Sequence, residues 1–96
     1  MKHKIELEVT GYVTSVFVQL EEFEITLAYD GDKTYKATKE LEIKGDLDLV
    51  FKVRGWNGTD WTIAITLDDD EKPVFKKAGT IEKKTYSLLK KSITLK

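Results

Sequence analysis

The chain has 96 residues, of which 41% are hydrophobic and 34% are charged, and its formal net charge is −1. This composition is too apolar for a disordered chain, and no apolar run approaches the roughly 20 residues of a membrane-spanning helix, so we expect one soluble domain over residues 1–96. The absence of cysteine from the sequence excludes disulfides, thiolate metal sites and cysteine nucleophiles.

Apolar side chains recur at every second position in much of the chain, and this period predicts strands with one buried face. The first strand is predicted at residues 4–9 and is followed by a turn at Gly11. Residues 12–29 contain no glycine or proline and are too many for one ordinary strand. The apolar positions are even-numbered before Glu21 and Glu22 and odd-numbered after them. This switch of the buried face predicts a bulge or a tight reversal there, and we favour a corner between two sheets.

Turn-forming residues divide the middle of the chain into further strands. A hairpin turn is predicted at residues 30–32, joining a strand at residues 23–29 to an antiparallel strand at residues 34–43. A second turn at residues 44–46 precedes a strand at residues 47–54. The apolar content of that last strand favours a central position in its sheet.

Three more strands are predicted in the last third of the chain. Residues 61–67 alternate, with Trp61 on the face expected to lie in the core. After a charged turn at residues 68–73, an irregular strand is predicted at residues 74–81 and a broken one at residues 85–95. About eight short strands without a crossover helix predict a two-sheet antiparallel β-sandwich with about 7–8 strands and an immunoglobulin-like outline.

The small net charge hides an asymmetry along the chain. Through Asp70 there are 15 acidic and 8 basic residues, a net charge of −7, whereas the remainder has 2 acidic and 8 basic residues, a net charge of +6. We favour pairing of the lysine-rich C-terminal strands with acidic ones, so that the charges neutralise. The alternative is a basic face for a polyanion such as nucleic acid, an acidic glycan or a lipid headgroup.

No group of residues in the sequence indicates a particular enzymatic reaction. His3 is the only histidine and stands near the chain terminus, so a serine nucleophile lacks a well-placed base. A glycosidase needs two carboxyl groups across a cleft, for which a small sandwich has little room. Calcium binding by the acidic residues 68–71 is a weaker alternative, because consecutive acidic side chains point in different directions. We predict a protein that is not an enzyme, with no metal site and no cofactor.

The loop before the strand at residues 61–67 is the best candidate for binding. Trp56 lies outside the alternating strands, beside the turn-forming pair Asn57 and Gly58. Its indole either folds back to cap the core, which we favour because aromatic side chains bury a large area, or forms a stacking platform for a sugar or a peptide side chain. In the second case the predicted ligand-binding residues are Trp56, Asn57, Thr59 and Asp60.

These features favour a non-catalytic binding or interaction module, a bacterial secreted or surface β-sandwich protein that recognises carbohydrate through the Trp56 loop. The alternative is a structural or accessory subunit that associates with itself or with a protein partner by sheet-edge pairing. A protein or glycan partner is expected. Nucleic acid is not favoured, because a surface that stacks bases needs several aromatic residues among basic ones, and here Tyr86 is a single aromatic residue among lysines.

Residues 1–5 pass from a basic tip directly into a strand, without the apolar segment of a signal peptide. The protein is therefore either cytoplasmic or begins after a removed leader. We favour the second and expect an extracytoplasmic location, in the periplasm or at the cell surface, because small all-β modules are common there. No motif assigns the chain to a family.

Overall fold

The structure, a computed structural model, describes residues 2–43, 45–68, 71–82 and 86–93, and strands account for 72% of them. Within these ranges no helix is long and apolar enough to cross a membrane. The strands of the described residues, in chain order, are β1 (Lys2–Thr10), β2 (Val13–Leu20), β3 (Phe23–Ile25), β4 (Ala28–Tyr29), β5 (Thr34–Glu42), β6 (Leu47–Gly55), β7 (Asp60–Leu67), β8 (Phe75–Thr80) and β9 (Tyr86–Ile93).

The strands form two antiparallel sheets. Five strands lie in the order β4-β5-β1-β7-β8, and four lie in the order β3-β2-β6-β9. The predicted two-sheet antiparallel β-sandwich is confirmed, with nine strands in the described residues instead of seven or eight. The predicted central position of residues 47–54 is confirmed as well, because β6 lies between β2 and β9.

The extra strand arises because residues 23–29 do not form one strand. Leu20 pairs with Phe23 in the same sheet, so Glu21 and Glu22 make a two-residue hairpin turn. Glu21 has a φ of 55°, the positive value that such a tight turn needs. The tight reversal is therefore correct, and the favoured corner between sheets is wrong at this position. The chain crosses between the sheets later, after Ile25, so that β3 and β4 belong to different sheets.

Buried apolar side chains from both sheets form one core cluster. The predicted alternation places them: Val9 stands opposite Ile63 in the five-stranded sheet, and both are fully buried. Trp61 of β7 contacts Phe51 of β6 across the two sheets, with ring centres 5.2 Å apart. The core position predicted for Trp61 is confirmed, because only 6% of this residue is exposed.

Gly79 on β8 makes room for the indole of Trp61. The two residues are register partners, and a Cβ atom added to Gly79 would lie 2.5 Å from Cζ2 of Trp61. Real Cβ atoms do not approach a neighbour so closely, and the contact of the ring with Phe51 limits how far the ring can shift. The glycine therefore fixes how deeply the tryptophan enters the core.

His3 and Asp68 hold the start of β1 to the end of β7. Nδ1 of His3 lies 2.6 Å from Oδ2 of Asp68, and the backbone N–H of Lys4 donates to Oδ1 of Asp68 at 2.9 Å. These hydrogen bonds, that of His3 first, hold the pKa of Asp68 below its ordinary value. Residues near a chain terminus usually fray, which is what the position of His3 in the sequence leads one to expect, but His3 lies within β1 and is the register partner of Leu41.

We predict that Gly79→Ala destabilises the protein by about 1–3 kcal/mol, because the added methyl group overpacks the contact with Trp61. Urea unfolding measures the free energy directly. Gly45→Ala is the matched control: no atom of the described residues lies within 4 Å of the added Cβ, and the change should stay within about 0.5 kcal/mol. Equal effects of the two variants would contradict the proposed role of Gly79.

We also predict that Asp68→Asn lowers stability at pH 7 and that its effect fades in acid. Because the folded state holds the pKa of Asp68 below its ordinary value, the ionised carboxylate stabilises the fold above pH about 4. This contribution is lost as the pH falls through the lowered pKa. Urea unfolding from pH 7 to pH 2 tests the trend, with Glu22→Gln on an exposed turn as the control. A deficit that persists at pH 2 would show that the effect is not the loss of the carboxylate charge.

Candidate ligand-binding surface

Several loops meet at one end of the sandwich. They are the β1–β2 loop at residues 11–12, the β4–β5 turn at residues 30–33, the β6–β7 loop at residues 56–59 and the residues that follow β8. Hydrogen bonds join them in pairs: the N–H of Gly11 donates to the carbonyl of Lys33 at 2.9 Å, and the N–H of Gly58 donates to the carbonyl of Ile81 at 2.7 Å. Backbone hydrogen bonds therefore hold the loops of this end in two pairs.

Trp56 lies at this end of the sandwich with 77% of its surface exposed. The favoured interpretation, in which its indole caps the core, is therefore wrong. The N–H of Thr59 donates to the carbonyl of Trp56 at 3.1 Å, which closes a turn, and Gly58 supplies the positive φ of 91° that the turn uses. The N–H of Ile81 donates to the carbonyl of Thr59 at 2.9 Å and ties the same turn to the end of β8. The hydrogen-bonded turn thus holds the backbone of Trp56 in place while the indole stays exposed to solvent.

A shallow groove of about 260 Å³ lies beside the indole, and the described residues that line it are Thr14, Arg54, Gly55 and Trp56. We call it the Trp56 groove. Thr14 reaches it because the register of β2 against β6 shifts between Val13 and Ser15. Such a bulge re-aims a side chain, and the hydroxyl of Thr14 donates to the carbonyl of Arg54 at 3.2 Å. The groove therefore combines an aromatic face, a hydroxyl group and a guanidinium group.

The other three predicted ligand-binding residues differ in exposure and in hydrogen-bond partners. Asn57 is exposed in the turn beside Trp56, whereas Thr59 is partly buried and its backbone serves the turn. Asp60 starts β7, and its carboxylate accepts a hydrogen bond from the hydroxyl of Thr80 at 2.6 Å. The structure therefore brings Asn57 close to Trp56 in the chain but holds Asp60 in a contact of its own. A binding role for these four residues stays a prediction.

Tyr12 is a second exposed aromatic residue at this end, and the sequence reasoning did not single it out. It is 74% exposed. Tyr12 immediately precedes Val13, and Trp56 immediately follows Gly55, the register partner of Val13. Nζ of Lys33 lies 4.8 Å from the centre of the Tyr12 ring, within range of a cation–π interaction. Its signal in the sequence was the same as that of Trp56: an aromatic residue beside a glycine and outside the alternation.

The outer face of the four-stranded sheet continues from the Trp56 groove and carries cations among apolar side chains. Because Phe51 and Val53 are buried, Lys52 and Arg54 point to the outer face of β6. The cross-strand rows on this face are Ser15, Arg54 and Tyr86; Phe17, Lys52 and Leu88; and Gln19, Val50 and Lys90. Nζ of Lys52 lies 4.7 Å from the centre of the Tyr86 ring. We call the surface formed by Lys52, Arg54 and Lys90 the cationic face.

The lysines of the last two described strands do not stand opposite acidic residues. Their register partners are apolar: Ala64 for Lys76, Ile63 for Lys77, Val50 for Lys90 and Leu49 for Lys91. Cross-strand neutralisation, the favoured interpretation of the charge asymmetry, is therefore wrong for these four positions. Lys83 and Lys84, which belong to the same basic segment, lie outside the described residues.

The described residues contain no group of three or more histidine and acidic side chains that could hold a metal ion. The acidic turn considered for calcium falls partly outside them, because Asp69 and Asp70 are not described. Asp68, its first member, is engaged by His3 and by the backbone of Lys4. Glu71 is exposed.

Comparison with known proteins adds no assignment. No family model, no curated protein and no solved structure shows a significant match to this chain.

We predict a small effect on stability for removal of one tryptophan of the chain and a large effect for removal of the other. Trp56→Ala should change the free energy of unfolding by no more than about 0.5 kcal/mol, because 77% of the residue is exposed and it is not a member of the core cluster. Trp61→Ala should lower it by about 3–5 kcal/mol, because the change leaves a cavity against Phe51. Urea unfolding of both variants measures the contrast. A comparable loss in Trp56→Ala would contradict the displayed position of this residue.

Proposed function

We propose that this protein is a non-catalytic binding module that recognises carbohydrate at the Trp56 groove. The observation that carries the proposal is the displayed indole of Trp56, which is 77% exposed on a turn whose backbone is hydrogen-bonded to Ile81. Large exposed apolar side chains on a rigid scaffold mark interaction sites, and a loop fixed in advance loses little conformational entropy on binding. A flat indole suits the apolar face of a sugar ring.

The polar groups beside the indole support a hydroxyl-rich ligand. Thr14 supplies a hydroxyl group and Arg54 supplies several N–H donors at the edge of the same groove. The groove is open and shallow, so it fits one or two rings of a chain that passes across the surface better than a small molecule that must be enclosed. Asn57, beside Trp56 in the turn, extends the polar rim and is retained as a predicted ligand-binding residue.

The absence of catalysis belongs to the same proposal. No acidic side chain is among the described residues that line the groove, and His3 lies at the other end of β1, where it contacts Asp68. Asp60, the nearest acidic residue along the chain, already accepts a hydrogen bond from Thr80. General acid–base chemistry needs a free acid or base within hydrogen-bond reach of the reacting group.

A secreted or surface location in a bacterium and an immunoglobulin-like outline stay predictions. In the immunoglobulin arrangement the first two strands share a sheet, whereas here β1 and β2 lie in different sheets. The location rests on the frequency of small all-β binding modules outside the cytoplasm.

The alternative function, association by sheet-edge pairing, has weaker support. The edge strands β3 and β4 have only three and two residues. The longer edges β8 and β9 each carry an exposed lysine, Lys77 and Lys91, at a position whose register partner is a buried core residue. Short edges and inward-directed charges are features that oppose pairing with another chain.

We predict that a glycan array identifies a carbohydrate ligand and that Trp56→Ala weakens its binding by at least tenfold. The expected loss follows from removal of the aromatic platform, while the fold stays intact. Isothermal titration calorimetry with the selected glycan measures the change. Trp56→Tyr should keep part of the affinity, because it retains an aromatic face.

Phe23→Ala is the matched control for this prediction. Phe23 is also an exposed aromatic residue, but it lies at the far end of the sandwich, at the hairpin turn formed by Glu21 and Glu22. Its removal should leave glycan binding unchanged. Full affinity in Trp56→Ala, or no bound glycan on the array, would contradict the proposal.

A further inference from the structure

The charges on the outer face of the five-stranded sheet compensate one another. Nζ of Lys4 lies 3.5 Å from the carboxylate of Glu6 on β1. Nζ of Lys36 lies 3.8 Å from the carboxylate of Glu8 and 3.4 Å from that of Asp30. An ion approaching this face meets opposite charges at close spacing, so the field that it experiences is small.

The cationic face of the other sheet has no such compensation. Lys52, Arg54 and Lys90 form no ion pair with any residue in the described ranges, and their register partners are uncharged. Asp48, the acidic residue on the same face of β6, is six residues from Arg54, about 20 Å along an extended strand. The two cations of β6 therefore lie toward the end of the strand that adjoins the Trp56 groove, and the acidic residue of the same face lies toward the other end.

We propose that the ligand is an acidic polysaccharide, which stacks one sugar ring on Trp56 and places its anionic groups on Arg54 and Lys52. This inference rests on the proposed carbohydrate-binding function and names the class of carbohydrate. Lys52 and Arg54 are alternate residues of β6, about 7 Å apart along the strand, and Arg54 lines the same groove as Trp56, so an extended ligand can reach all three side chains. The guanidinium group of Arg54 can hold a carboxylate or a sulfate group through two parallel hydrogen bonds.

The aromatic side chains favour a polysaccharide over single-stranded nucleic acid. Proteins that bind a single strand stack successive bases on a series of aromatic faces. Here an ammonium group covers one face of the Tyr86 ring at 4.7 Å and one face of the Tyr12 ring at 4.8 Å. No cation lies over the indole of Trp56 in the described residues, which leaves one free platform beside a row of charges.

The test compares three hexamers in calorimetric titrations at low salt: hexagalacturonate, a sulfated glycosaminoglycan hexamer and neutral cellohexaose. We expect an acidic hexamer to bind at least tenfold more tightly than cellohexaose, and this preference to fall as the salt concentration rises. Stronger binding of hexagalacturonate assigns the carboxylate as the anionic group, whereas stronger binding of the glycosaminoglycan assigns the sulfate. Lys52→Gln should weaken binding of the preferred acidic hexamer by about tenfold and leave the affinity for cellohexaose unchanged, because Lys52 does not line the groove. Arg54→Gln should weaken binding of the acidic hexamer by at least as much and binding of cellohexaose by less, because Arg54 lines the groove as well.

Lys36→Gln is the control, because it removes the same charge from the opposite face of the sandwich. Equal loss in Lys36→Gln would overturn the inference, since the effect would then follow the net charge. Cellohexaose bound as tightly as the acidic hexamers would also overturn it while leaving carbohydrate recognition at Trp56 intact. Failure of all three hexamers to bind would contradict the proposed function itself. Tighter binding of an oligo-dT dodecamer than of either acidic hexamer would assign the face to nucleic acid and overturn the choice of polysaccharide.

Discussion

The contact of Phe51 with Trp61 is the interaction on which the candidate surface depends. These residues belong to β6 and β7, which lie in different sheets, and their rings meet in the core with centres 5.2 Å apart. The loop that joins the two strands must therefore cross from one sheet to the other at the end of the sandwich. Trp56 lies in that crossing, so the packing of one tryptophan in the core sets the position of the other at the surface.

The core contact alone would leave the loop free to move, and backbone hydrogen bonds remove much of that freedom. Gly58 and Thr59 bond to Ile81, which is fully buried and so ties the turn to the core cluster. The neighbouring bond from Gly11 to Lys33 joins the β1–β2 loop to the β4–β5 turn. A binding surface built in this way gains its rigidity from main-chain groups, and its side chains are left available for a ligand.

The sequence was sufficient for the fold class but not for strand partners or for the surface. Alternation records which face of a strand is buried, and this is why Trp61, β6 and the sandwich were predictable. It does not record which strand lies alongside, so neutralisation of the C-terminal lysines was expected although their partners are apolar. At Glu21 and Glu22, a tight reversal and a corner between sheets would both switch the apolar positions from even-numbered to odd-numbered residues. Only the pairing of Leu20 with Phe23 in the structure distinguishes the reversal from the corner. The exposure of Trp56 could not be predicted for a similar reason, since an aromatic residue in a loop can either cap the core or face the solvent.

Strand order also explains how a chain with a net charge of −1 acquires one cationic face. The acidic side chains of β1 meet Lys36 of β5 because these strands are neighbours, and their charges compensate. β6 instead lies between β2 and β9, whose outward residues beside Lys52 and Arg54 carry no acidic group. The acidic side chains of β1 and the cations of β6 thus lie on opposite sides of the sandwich, because β1 and β6 belong to different sheets, and the loop after β6 crosses between these sheets. The same crossing that displays Trp56 therefore places it at the edge of the cationic face, and an aromatic platform beside uncompensated cations is a surface suited to anionic, ring-containing ligands.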